Sequence, residues 1–182
     1  MKKIITTCPH CFNTLKNEYP QFGGSYEVIH HAAFLADLTA QGKVKVSKSL
    51  QRTITIHDPC YLGRYNDIYE QPRQVLHAIP GVKLVEVARS RARAMCCCCG
   101  GGPRAFMEDR HGKKIIEAHV EQAMAVSPDV IGTACPYCMT MLEDGMKAKG
   151  VDEKMKPIDV VELLAEAIEP APVSANSVEV RS

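Results

Sequence analysis

Residues 130–142 read VIGTACPYCMTML. A β-branched run closes on a cysteine, a proline follows, and a second cysteine stands three places on, at the head of helix-spaced apolar residues. This is the pattern of a strand delivering a CxxC pair to the first turn of a helix, where proline is tolerated. The chain writes the pattern twice. In residues 4–15, IITTCPHCFNTL, Cys8 and Cys11 align with Cys135 and Cys138. VIHHAAFLADL (28–38) then follows the first pair at nearly the distance at which PIDVVELLAEA (157–167) follows the second. Residues 1–42 thus resemble residues 129–168.

Working outward, periodicity predicts strands at KKIITT (2–7), YEVIHH (26–31), TITIHD (53–58), VKLVEV (82–87) and DVIGTA (129–134). Helices are expected from Cys8 to near Tyr19, at AAFLADLTAQG closed by Gly42, and at DIYEQPRQVLHAI with Pro72 in its first turn. Three more are expected, from about 106 to 125, from 136 to 149, and over IDVVELLAEAI (158–168). Alternating strands and helices define an α/β protein with Rossmann-like parallel sheets, whose chemistry sits at the carboxyl ends of the strands. All four cysteine groups are expected at such ends. The repeat divides the chain into residues 1–51, the closing part of a first module, and residues 52–168, a complete second module. Residues 169–182 have the composition of a disordered tail.

With 182 residues, 46% apolar composition and a formal net charge of +1, the chain reads as globular, without the clustered basic surface of a nucleic-acid binder. Arg89, Arg91 and Arg93, beside the cysteine run, read as a solvated loop that offsets thiolate charge, with a phosphate site as the alternative. No apolar run reaches the roughly 18 residues of a membrane span. The start MKKIITTC lacks a secretory h-region, so a cytoplasmic location is expected. Nine cysteines in such a chain point to metal or redox chemistry rather than to a disulfide scaffold.

The densest of that chemistry is RARAMCCCCGGG (91–102). Adjacent cysteines suit disulfides poorly, and four exposed thiols in a row would be an oxidation liability. Three readings compete. CPHC and CPYC look like thioredoxin-type active sites, but metal-free thiol–disulfide exchange leaves Cys60 and the run idle. Two CxxC pairs could form a structural zinc site, but the repeat makes them equivalent parts of two modules, which should not converge on one ion. Iron–sulfur ligation takes thiolates from several loops at wide spacing, and it uses all the groups.

The order HDPC ending at Cys60, a cysteine pair some 35 residues later, and then Cys135 and Cys138 resembles the cysteine-rich CCG domain of heterodisulfide reductase and its relatives. TTCPHCFNTLKNEYPQFGG, HDPCYLGRYNDIYEQPRQVLHAIPGVKLVE and CPYCMTMLEDG are similar to the branch of iron–sulfur reductases that pair with electron-transfer flavoproteins. The resemblance covers residues 2 to about 168 and suggests the C-terminal part of such a protein. It implies tandem CCG modules, each able to hold a cluster ([4Fe-4S], non-cubane in the best-studied branch) on one cysteine, an adjacent pair and a CxxC. It also implies partners in a redox complex: a flavoprotein, a ferredoxin-like subunit or a membrane anchor.

The implied ligands are Cys60, Cys96, Cys97, Cys135 and Cys138 in the second module, and Cys8 and Cys11 in the first. The register within the run is ambiguous. Counting from Cys60 selects Cys96 and Cys97; counting back from Cys135 selects Cys97 and Cys98. Relatives carry roughly CCGAGGG here, so matching the three glycines favours Cys96 and Cys97, with Cys98 and Cys99 as bystanders. Gly100, Gly101 and Gly102 would let the backbone approach the cluster and donate N–H groups to its sulfurs, or form a plain turn. Asp58 and Pro59 are expected to shape the turn that presents Cys60. His57 is either a satisfied strand-end residue or a hydrogen-bond partner of a cluster sulfur, and His30 and His31 read as structural. Tyr61, Tyr65 and Tyr69, at near-helical spacing, read as packing.

Overall fold

The computed structural model describes residues 3–98 and 114–168. Its main sheet is four-stranded and entirely parallel, in the order β4-β3-β5-β6: β3 (Arg52–Ile56), β4 (Val82–Leu84), β5 (Val130–Thr133) and β6 (Lys156–Asp159). A second, two-stranded parallel sheet pairs β1 (Lys3–Thr6) with β2 (Glu27–His30), in register from Lys3 opposite Glu27 to Thr6 opposite His30. The helices are α1 (Pro9–Asn13), α2 (His31–Ala40), α3 (Cys60–Asn66), α4 (Glu70–His77), α5 (Ile115–Met124), α6 (Pro136–Lys149) and α7 (Val160–Ala167).

β5 shows why the sheet is covered on both faces. Every residue of VIGT is buried, as a central parallel strand requires. Val130 faces a core with Ile54 and Ile56 of β3, Val75 and Leu76 of α4, and Leu163 and Leu164 of α7. Ile131 faces the opposite way, into a core with Ile116 and Val120 of α5 and Leu142 and Met146 of α6. The first core extends into the N-terminal unit, because Ala32 and Ala36 of α2 and Phe12 of α1 belong to it.

The repeat reappears as topology: β1-α1-β2-α2 has the same order as β5-α6-β6-α7. Equivalent residues begin the last helix of each unit. The His30 ring accepts from Ala32 N–H at the head of α2, and Asp159 accepts from Val161 N–H at the head of α7. The units touch at these heads, where His31 Nε2 lies 3.0 Å from Asp159 Oδ1 in a buried contact. The other His30 nitrogen, Nε2, lies 3.3 Å from the Thr7 carbonyl, so it carries the proton while Nδ1 accepts.

Two expectations need correction. VKLVEV is a strand only through Leu84: Val85 N–H still bonds the Ile54 carbonyl, but Glu86 turns toward Arg73 and takes the chain off the sheet. The cysteine run therefore lies on a loop beyond β4, not at its end. IDVVELLAEAI is not all helix, since residues 156–159 form β6, an edge strand where Pro157 is tolerated. The helix starts at Val160, behind a capping box of Asp159 and Glu162. YLGRYN, to which the sequence reading assigns no element, continues from Cys60 as α3, ended by Asp67 at φ 55°. The predicted helical text at 106–113 and the tail at 169–182 lie outside the described residues.

α5 and α6 meet at Gly145, where an added Cβ would stand 2.7 Å from Ile116 Cγ1 and 3.0 Å from Val120 Cγ2. Gly145→Val therefore has to push α5 away. It is expected to cost about 2 kcal/mol, read as a lowered midpoint in thermal unfolding followed by circular dichroism.

Candidate metal centre

β3 delivers His57, Asp58, Pro59 and Cys60 in succession, with His57 N–H bonded to the Gly132 carbonyl of β5 and Cys60 as the first residue of α3. Asp58 anchors this turn. Arg73, 1% exposed on α4, donates from both terminal nitrogens to the Asp58 carboxylate, at 2.7 and 3.0 Å. The same guanidinium donates to Glu86 (2.6 and 3.0 Å) and to the Tyr69 carbonyl (2.7 Å). Asp58 Oδ2 also accepts from Arg91 N–H at 2.7 Å, which ties the loop carrying the cysteine run to the turn carrying Cys60. Arg64 of α3 donates to the Ala92 and Ala94 carbonyls of that loop. Arg91 thus works as a structural tie, paired with Glu70 and Glu86.

These ties bring the thiols together in pairs. Cys96 hydrogen-bonds Cys60, and that bond, reinforced by burial, pushes the Cys60 thiol well above its ordinary pKa. Cys97 Sγ lies 3.1 Å from Cys138 Sγ, both nearly inaccessible. Cys135, fully buried, is the N-cap of α6 and shares one core cluster with Cys97 and Cys138. Cys98 is also buried; it adopts φ 69°, and its N–H donates to Cys96 Sγ at 3.2 Å. Cys99 and Gly100, Gly101 and Gly102 lie outside the described residues.

His57 sits against the second thiol pair. Its ligand atom and the sulfurs of Cys97 and Cys138 all lie within 4.8 Å of one another. Its Nδ1 lies 3.2 Å from Nε2 of His119 on α5, ring edge to ring face, while its Nε2 is buried without a hydrogen-bond partner. Burial and the neighbouring His119 hold His57 well below the usual histidine range, and burial with Arg89 nearby lowers His119 to about 4. Sequence reasoning missed His119, although a histidine in line with Ile116, Val120 and Ala123 on a helix's apolar stripe was the available signal.

The N-terminal pair is arranged differently. Cys8, half-buried at the head of α1, lies 3.8 Å from His10 Nδ1, and burial raises its pKa; Cys11 is exposed. The His10 ring packs between Tyr61 and Tyr137, at 4.3 and 5.5 Å, so both CxxC segments open on one face of the molecule. Tyr61 and Tyr65 stack, and Tyr69 fills the space beside Gly63.

The donors that converge are soft sulfurs on separate loops, in an apolar setting, with an imidazole nitrogen of His57 within 4.8 Å of two of them. Among the described residues no carboxylate joins the group of possible ligands. Such a set suits an iron–sulfur cluster and does not suit a hard cation. The model of the CCG family, described as a cysteine-rich domain, matches residues 54–143, so this stretch is a CCG domain.

Its relatives are redox proteins. It is 54% identical over 168 residues to the probable iron-sulfur-binding oxidoreductase FadF of Bacillus subtilis, covering 92% of this chain and 24% of that protein. It is 44% identical over 176 residues to the EtfAB:quinone oxidoreductase of Syntrophomonas wolfei, covering 93% and 24%. It is 41% identical over 170 residues to a subunit of the dihydromethanophenazine:CoB–CoM heterodisulfide reductase of Methanosarcina mazei, covering 92% and 41%. The chain thus spans between a quarter and two fifths of the length of these relatives. The FadF relative is named for iron–sulfur binding, and the sulfur donor set of this chain suits such a cluster. No helix among the described residues is long and apolar enough to cross a membrane.

The clamp and the buried rings each carry a measurable consequence. Arg73→Met leaves Asp58 buried and unpaired, at a cost of about 3–5 kcal/mol, and Arg73→Lys restores little, because one ammonium cannot replace a fork that bonds two carboxylates. Urea denaturation of both variants checks this. The second consequence concerns pH. His30, lowered to about 3 by burial, and His119, at about 4, stay neutral in the fold but protonate near pH 6.5 when unfolded. From pH 6.5 down to about 4 the unfolded chain binds more protons, so stability falls with pH, by an uptake of about two protons near pH 5 from these rings, to which His57 adds a third. Unfolding free energies measured across that range give the slope.

Proposed function

We propose that the chain is an iron–sulfur electron-transfer unit of a heterodisulfide-reductase-like oxidoreductase, relaying electrons between a flavoprotein and a quinone, a disulfide or further clusters. The observation that carries the reading is the convergence of Cys60 with Cys96 and of Cys97 with Cys138, beside Cys135. On this reading those five cysteines hold a [4Fe-4S]-type cluster, which accepts and donates single electrons when bound. The N–H of Cys98 and the heads of α3 and α6 offset its charge. The Arg73–Asp58 tie orients Cys60 against Cys96, and the packing of α5 on α6 keeps water from Cys97 and Cys138.

Residues 1–51 act as the closing part of a first module. Cys8 and Cys11 join a cluster there when a segment outside these 182 residues supplies the remaining thiolates. The relatives named for EtfAB:quinone and for heterodisulfide chemistry support a flavoprotein on one side and a quinone or disulfide on the other. The alternative, metal-free thiol exchange by the CxxC pairs, requires a first thiol of lowered pKa, whereas burial raises that of Cys8.

Iron and acid-labile sulfide, measured after anaerobic reconstitution, test the reading. Cys60→Ser, Cys96→Ser and Cys97→Ser are expected to lose or alter the cluster. Lys147→Ala on α6, and Cys98 with Cys99 replaced by Gly-Ala, keep it. Cys8→Ser leaves the iron content of this chain unchanged. Full iron in Cys60→Ser refutes the ligand set, and loss in Cys98→Ser with retention in Cys96→Ser moves the register by one residue.

A further inference from the structure

The His57–His119 pair has a polarity that the surrounding groups dictate. Both rings are buried, and His57 Nδ1 lies 3.2 Å from His119 Nε2, a contact that requires one hydrogen between them. Two tautomeric arrangements satisfy that contact. If His57 donates, the only other nitrogen of its ring, Nε2, is a bare lone pair on a ring that stands within 4.8 Å of the Cys97 and Cys138 sulfurs, and His119 Nδ1 becomes a buried N–H without a partner among the described residues. If His119 donates, His57 Nε2 carries the proton and is the one donor this ring can offer the neighbouring sulfurs, and only an acceptor at His119 Nδ1 is left unpaired. An orphaned buried acceptor is tolerated better than an orphaned buried donor. Facing thiolates or cluster sulfide, an N–H is attracted where a lone pair is repelled. The second arrangement therefore wins on both counts.

We infer that His57, held in its Nε2–H tautomer by His119, is a positioning and tuning residue that donates a hydrogen bond to a sulfur at the Cys97–Cys138 side of the cluster. This rests on the cluster reading above and goes beyond its ligand set. His57 comes at the end of β3 and His119 from α5, so the donor is set by the sheet and by the α5–α6 packing, not by the cysteine loop. A hydrogen bond to sulfur stabilises the more negative, reduced state and raises the reduction potential. The outer partner fixes the tautomer, as carboxylates and carbonyls do for histidines at metal sites.

The test uses the 182-residue chain reconstituted with iron and sulfide under anaerobic conditions. His57→Ala is expected to retain the wild-type iron and sulfide content while its midpoint potential shifts to a more negative value. His57→Gln, whose amide can donate, returns part of the shift, and His119→Phe shifts the potential in the same direction as His57→Ala. Pulsed electron paramagnetic resonance on wild-type protein labelled with 15N-histidine requires no variant. It is expected to show one weakly coupled nitrogen, far below the coupling of a coordinated imidazole. A loaded His57→Ala protein with an unshifted potential, or an absent or strong nitrogen coupling in the wild type, overturns the inference while leaving the cluster in place. A wild-type chain that takes up no iron or sulfide overturns the cluster reading and this inference with it.

Discussion

One guanidinium holds the site together. Arg73 is nearly inaccessible, yet it satisfies Asp58, Glu86 and a backbone carbonyl at once. A buried ion pair is a poor source of net stability, because desolvating its charges offsets most of their attraction. Its contribution here is geometric. Asp58 belongs to the turn after β3, Glu86 to the exit from β4, and Arg91, which also bonds Asp58, to the loop before the cysteines. With these three segments fixed to α4, Cys96 arrives beside Cys60 although β4 ends well before it in sequence. An apolar replacement would have to specify two chain directions without directional bonds.

The rest of the site follows from the sheet. β3 and β5 are adjacent and parallel, so His57 and the loop leading to Cys135 emerge at the same edge, joined by the bond from His57 N–H to the Gly132 carbonyl. α6 then carries Cys138 one turn beyond Cys135, and α5, pressed against it at Gly145, brings His119 to His57. Rossmann-like topology thus supplies convergence at the strand ends, and the arginine clamp adds the one thiol pair that topology alone does not place.

How much of this is legible in the sequence depends on whether the signal is local. The CxxC helices, their prolines and the strands before them are readable because strand and helix periods switch at the cysteines. β6 is not read from its own text, although the repeat aligns it with a segment that reads as a strand and although Asp159 with Glu162 spells a capping box. The apolar text IDVVELLAEAI suits a helix throughout, and only pairing with β5 makes its start a strand. The end of β4 is illegible, since VKLVEV alternates to its end and is interrupted by a partner on another helix. For the same reason Arg73 is inconspicuous within a polar helical segment, and His119 requires knowing which ring it will meet.

The protonation of the thiols connects folding with loading. Cys60 is pushed up by its bond with Cys96 and by burial, so at this position the fold favours a neutral thiol over a thiolate. A neutral sulfhydryl is compatible with the apolar packing around it. A metal bound at Cys60 would displace that proton, so its affinity would rise with pH. Arg64, whose charge favours the Cys60 thiolate, and the Cys98 N–H at Cys96 are in place to stabilise the charge once the protons leave. The low acidity of Cys60 and the fitness of the site for a charged cluster therefore arise from the same arrangement: paired sulfurs, with the Arg64 charge and the Cys98 N–H already beside them.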